Sequence, residues 1–152
     1  MKIHTDHCRI VIHTANMIPQ DWANMCQAVW QSPLLPLESA TPHTKASTAF
    51  GTGARFKRDL LAYLEFYGQK RTGSLVKQIR KHDFSSVRAA LIASVPSKQK
   101  LSSLDSNRST LWGWPALRDT IKQIPIEATA NSRRKPHIVI QVQCSHIRLI
   151  DP

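Results

Sequence analysis

The residue types that could do chemistry are unevenly supplied in this chain of 152 residues. Histidine is plentiful, at seven, while ten carboxylates stand against 21 lysines and arginines. A metal centre would draw on the histidines. His4 and His7 are three apart and His13 falls in an apolar run, but no Asp, Glu or Cys completes a set at ligand spacing. No metal is expected. A Ser–His–Asp hydrolase would need a G-x-S-x-G elbow, and there is none. The glycines of GTGA, residues 51–54, stand in a polar stretch without the Lys-Ser/Thr ending of a phosphate loop. No cofactor is implied. What remains is a neutral amide. Asn16 follows the apolar run CRIVIHT, residues 8–14, and so stands at the C-terminal rim of an expected strand, where α/β folds place ligand-contacting groups. An amide donates to a phosphate oxygen without adding charge. The same residue type also closes turns for purely local reasons.

Charge is the one extreme quantity, a formal net +11. It is spread unevenly, with net zero over residues 1–50, +8 over 51–100 and +3 over 101–152. A basic block favours a polyanion, because neutralising phosphates releases condensed counterions. It is equally compatible with a solvated face. Arg55, Lys57 and Arg58 at the start of one helix, and Lys77, Arg80 and Lys81 along the next, are the charge-based candidates for DNA contact. The longest apolar stretches, such as HIVIQV and LLAYL, are far short of the ~20 residues that span a bilayer. The first residues lack the apolar block of a secretory signal, so neither a membrane span nor Sec export is expected. Cys8, Cys26 and Cys144 form no C-x-x-C pair and are expected as buried thiols of a reducing compartment.

The elements that must position these groups alternate strand and helix. Residues 8–14 read as a buried strand. Trp22, Cys26 and Trp30, spaced by four, suggest a helix running to Trp30 with Pro19 near its start. Residues 32–45, with three prolines, read as an extended loop. RFKRDLLAYLEFYGQ is the best helix, with Phe56, Leu60, Leu64 and Tyr67 on one stripe and Gly68 as a stop. GSLVKQIRKHD should turn Leu75, Val76 and Ile79 inward and Lys77, Arg80 and Lys81 outward. Residues 87–95 read as a strand, 97–110 as a polar loop, 115–124 as a helix, and 137–144 as a last strand. The pattern is that of a single α/β domain over residues 1–152.

The segments IVIHTANMIPQDW, AVWQSPLLP, FKRDLLAYLEFYG, KHDFSSVRAALIASVP, LWGWPALR and PHIVIQ together resemble the fungal-type tyrosyl-DNA phosphodiesterases, of the phospholipase D superfamily. The resemblance runs through the chain and covers the later half of the first of two similar α/β domains. It implies part of a phospholipase D-like α/β/α sandwich with a mixed sheet. It also implies a nuclear DNA-repair enzyme that hydrolyses the bond between a topoisomerase tyrosine and a DNA 3′ phosphate, without metal or cofactor. The partner is then DNA carrying a covalently attached topoisomerase peptide. In the family one His attacks phosphorus to form a phospho-histidine and another acts as general acid, then base. Two Lys and two Asn clamp the phosphoryl oxygens. Asn16 stands where the family has the Asn of its first H-x-K…N motif, Gln27 matches a Gln close to that site, and Ser145 lies in QCS, similar to an element that contacts the DNA backbone.

The departures are as informative. The His and Lys of the first motif would fall upstream of Met1, and the second motif belongs beyond Pro152. His43-Thr44-Lys45 has the right letters, but it lies in the Pro-rich loop and no Asn follows at the proper interval. HIRLIDP after QCS replaces the expected Gly-Ser-Leu-Gly, and Ser-Lys after Pro96 replaces Gly-Arg. The expectation is an inactive fragment of a phosphodiesterase. The alternatives are a non-catalytic basic module that binds DNA, or a product that does not fold alone. An uncovered strand beside residues 8–14 would favour self-association.

Overall fold

The structure, a computed structural model, describes residues 2–3, 6–16, 18–23, 25–39, 48–96 and 109–124. They divide into two compact units, the first over residues up to 11 and from 30 to 124, the second over 12–29. The expected strand at 137–144, the His43-Thr44-Lys45 triplet, most of the 97–110 loop and Ser145 lie outside the described residues.

Helix and strand are mixed, as the α/β reading requires, and the described strands are short. β1 (Lys2–Ile3), β2 (His7–Arg9) and β5 (Leu35–Pro36) form one antiparallel sheet in the order β1-β2-β5. β2 pairs Cys8 with Ile3 on one side and with Leu35 on the other. β3 (Val11–His13) and β4 (Val29–Gln31) form a second, two-stranded sheet. The expected single strand over 8–14 is therefore broken at Ile10. There the backbone N–H donates to Ser32 Oγ at 3.0 Å, and the carbonyl accepts from Ser32 N–H at 2.9 Å. A buried side-chain hydroxyl in the ladder lets one run of residues serve two sheets. All three residues of β3 are exposed, so the apolar run there is not the buried strand expected.

The first unit is built around α2 (Gly53–Phe66). Thr52 caps it in extended geometry, its Oγ1 accepting from Arg55 N–H at 3.4 Å. Phe56 and Leu60 are buried, and Leu64 packs more loosely at the edge of the core, as the stripe predicts. Tyr67 does not follow them inward. It caps the helix, and its hydroxyl pairs with that of Tyr63 at 2.8 Å. Gly68, at φ +86°, makes the turn into α3 (Gln69–Ile79), a conformation that residues with a Cβ rarely adopt. α3 places Ile79 in the core with Cys8, Leu35, Phe56, Phe84 and Val87, packs Leu75 against it and buries Val76. Burying each such side chain stabilises by roughly 1.5–3 kcal/mol. After α3 the chain returns beside β5, with Glu38 N–H donating to Lys81 O and Asp83 N–H to Pro36 O. Gly53 opens α2 against this return, and a Cβ there would stand 1.6 Å from the Phe84 carbonyl oxygen.

Two expected elements are corrected. The helix expected to reach Trp30 ends early, as α1 (Pro19–Ala23), and Val29–Gln31 is strand. The four-residue spacing marks no common face. Trp22 and Cys26 are exposed, while Trp30 packs against Phe56 at 5.1 Å between ring centres. Residues 87–95 form no ladder. Val87 is fully buried, and Ala89 and Leu91 reach the core from a segment that pairs with no strand among the described residues. β-branched alternation reports burial on one side, and pairing needs a partner. Cys8 is buried as expected; Cys26 is not. α4 (Gly113–Gln123) begins two residues before the expected start at Pro115. No helix among the described residues is long and apolar enough to cross a membrane.

Candidate functional site

The second unit is a loop held by its own side chains. Its two ends are clasped where Thr14 N–H donates to Ala28 O at 3.1 Å and Ala28 N–H donates to Thr14 Oγ1 at 3.0 Å. Between them, Pro19 fits the first turn of α1 because its fixed φ suits a helix and its missing N–H has no partner to lose there. α1 carries Asp21, the one acid among residues 10–36, and folds its carboxylate back onto the preceding loop. Asp21 is buried, and its Oδ2 accepts from Asn16 N–H at 2.6 Å and from Asn16 Nδ2 at 2.7 Å.

A carboxylate can only accept, so it decides which way the Asn16 amide faces. Nδ2 must lie on the Asp21 side. The rest of the loop locks this choice. Trp22 Nε1 donates to Asn16 O at 2.8 Å, Gln27 Nε2 donates to Asp21 O at 2.8 Å, and Thr14 Oγ1 donates to Gln27 Oε1. His13 and Trp22 meet with ring centres 5.5 Å apart. Asn16 and Gln27 are thus brought onto one residue, Asp21. Asn16 is exposed, and its second Nδ2 proton has no acceptor among the described residues.

What this arrangement can do is donate one oriented, neutral hydrogen bond to an anion. It cannot hold that anion by charge. A phosphate about 5 Å from the Asp21 carboxylate would be repelled by roughly 1 kcal/mol in water-like surroundings and roughly 3 kcal/mol at an effective dielectric of 20. Cations must come from elsewhere to offset this.

The comparisons place this loop in a known context. The sequence profile of the family described as tyrosyl-DNA phosphodiesterase matches residues 1–149. The chain belongs to that family. Among its relatives are a probable tyrosyl-DNA phosphodiesterase of Schizosaccharomyces pombe, 27% identical over 86% of this chain, and tyrosyl-DNA phosphodiesterase 1 of Drosophila melanogaster, 36% identical over 69% of this chain. The alignments cover 32% and 17% of those two proteins, so this chain spans a minor part of their length.

The basic candidates lie in the first unit, and they separate by helix. Arg55 is buried. Its guanidinium reaches Asp119 at 2.9 Å, Gln123 at 3.3 Å and Asp59 at 3.8 Å. Lys57 Nζ donates to the carbonyls of Arg80 at 2.9 Å and His82 at 2.7 Å and pairs with Glu38 at 3.1 Å. Arg58 pairs with Asp59 at 2.9 Å. On α3 and just after it, Lys77, Arg80 and Lys81 are exposed, and Arg80 alone of these pairs with a carboxylate, that of Glu65. Lys57 also acts on the buried Cys8. Burial pushes its thiol pKa up, and the Lys57 ammonium partly counters this.

Asp21 is the functional residue that sequence reasoning missed. Its signal was available, as a lone acid in the first turn of a helix five residues after the amide it orients.

Proposed function

We propose that this chain is the part of a tyrosyl-DNA phosphodiesterase that supplies one neutral donor to the phosphoryl oxygens, Asn16, and that by itself it does not turn over. The substrate is DNA bearing a 3′-phosphotyrosyl bond to a topoisomerase peptide, met in the nucleus. The fold completed around it is a phospholipase D-like sandwich. The chemistry passes through a phospho-histidine and uses no metal. Gln27 keeps the Asn16 loop in place from the side of Asp21, and Ser145 touches the DNA backbone.

The observation that carries this reading is the orientation of Asn16 by Asp21, in a loop whose sequence matches the family. The same observation supports inactivity in isolation. A phosphodiester needs a barrier lowered by ~8–23 kcal/mol, whereas neutral hydrogen bonds contribute roughly 1 kcal/mol each, here against a buried carboxylate. None of the histidines in this sequence stands with a lysine at the interval from Asn16 that the family's motif requires.

The test is release of tyrosine from a 3′-phosphotyrosyl oligonucleotide by the purified 152-residue chain, with trapping of phospho-histidine. Neither should rise above background. Turnover abolished by Asn16→Ala or His43→Ala would overturn the inactivity and reopen the His43-Thr44-Lys45 triplet. Addition of polypeptide carrying the missing His-x-Lys pairs should restore turnover that Asn16→Ala lowers; restored turnover indifferent to Asn16 would remove its proposed role.

A further inference from the structure

The outward face of α3 carries three lysines in a line. At 100° per residue, Lys70, Lys77 and Lys81 fall within about 40° of one another, and the line spans roughly 16 Å at 1.5 Å per residue. The turn continues past the last helical residue, since Arg80 N–H donates to Val76 O and Lys81 N–H to Gln78 O, each at 3.0 Å. The line lies opposite the buried pair Val76 and Ile79, so packing against the core aims it straight at solvent. Lys70, Lys77 and Lys81 are all exposed, and none is engaged with a carboxylate among the described residues. Ser74, the remaining residue on the line, is small and exposed.

We propose that this line is a contact for the phosphate backbone of duplex DNA. It rests on the proposed function for the identity of the polyanion. Three unpaired ammonium groups on a straight, rigid strip suit a rod carrying one negative charge per about 1.7 Å. Single-stranded nucleic acid is gripped through aromatic stacking platforms, and the line holds no aromatic residue. A lipid surface would ask for apolar residues flanking the lysines, and Ser74 and Gln78 stand there instead. Arg55, Lys57, Arg58 and Arg80 are not part of the contact, being engaged with protein carboxylates.

The experiment titrates a labelled, unmodified duplex with the 152-residue chain at several salt concentrations. Lys70→Gln/Lys77→Gln/Lys81→Gln should weaken binding by tenfold or more at low salt and flatten the log–log salt slope by about 2.7, or about 0.9 per lysine. Lys77→Gln alone should flatten it by about 0.9, which keeps the test open if the triple variant misfolds. Arg88→Gln/Arg118→Gln/Lys122→Gln removes the same charge from outside α3 and should leave most of the slope. An unchanged slope in the lysine variants overturns the proposal, as does an equal loss in the control, which would reduce the effect to net charge. Binding to phosphatidylserine vesicles but not to the duplex overturns it as well. The duplex carries no 3′-phosphotyrosine, so this result and the catalytic reading fail or survive separately.

Discussion

α2 and α3 are adjacent, similarly basic helices whose cations do opposite things. On α2 every candidate cation is turned to the protein: Arg55 onto Asp59 and Asp119, Lys57 onto two carbonyls and Glu38, Arg58 onto Asp59. On α3 the lysines face solvent, and Arg80 alone reaches a carboxylate, across an exposed pair. The difference follows from neighbours. α2 has Asp119 of α4, the carbonyls that end α3 and the segment at Glu38 around it, so its long side chains find acceptors on several sides. Among the described residues α3 is covered on one face only. Three cations in each helix are therefore structural glue in α2 and an exposed surface in α3.

The sharpest way to break this contrast is Arg55→Met. Removing Arg55 takes the cation from Asp119 and leaves Asp59 to Arg58, and should cost about 3 kcal/mol in urea unfolding. A loss below 1 kcal/mol would mean that the cluster is not the anchor of α4. The two helices' glycines should respond with opposite signs. Gly53→Ala drives a methyl into the Phe84 carbonyl and should destabilise by about 3 kcal/mol. Lys57→Met leaves the carbonyls of Arg80 and His82 without their ammonium donor, an expected loss of about 1–3 kcal/mol by the same measurement. Gly73→Ala meets only the flexible Gln69 side chain at 3.0 Å and should stabilise by about 0.5–1 kcal/mol through helix propensity.

The smallest effect is chemical. Alkylation at mildly alkaline pH should reach exposed Cys26 well before Cys8, whose thiol stays neutral to higher pH because it is buried. Lys57→Met removes the cation that favours the Cys8 thiolate, so the Cys8 pKa should move further up and its alkylation slow again at fixed pH. Faster labelling of Cys8 in a variant that remains folded would show that burial, and not the ammonium, had been misjudged.

Local pattern was enough for α2 and α3. The stripe of Phe56, Leu60 and Leu64, the stop at Gly68 and the inward Val76 and Ile79 are all consequences of 3.6-residue periodicity and glycine's freedom at positive φ. The family was also legible, since motif letters survive without any knowledge of packing. Pairing was not. Whether residues 8–14 make one strand or two depends on Ser32 inserting its hydroxyl at Ile10, and whether 87–95 is a strand depends on a pairing partner, which the described residues do not supply. Trp22, Cys26 and Trp30 keep helical spacing while Trp30 is taken by Phe56 from another part of the chain. The candidate site divides in the same way. Asn16 could be picked from its place in a motif, but the direction of its amide is set by Asp21, which reaches it only after the chain has turned through Pro19. The sequence by itself determined how many cations each helix carries. Only the tertiary structure decided which of them meet an acceptor, because a long side chain is committed by what lies within a few ångströms of its tip and periodicity describes only its root.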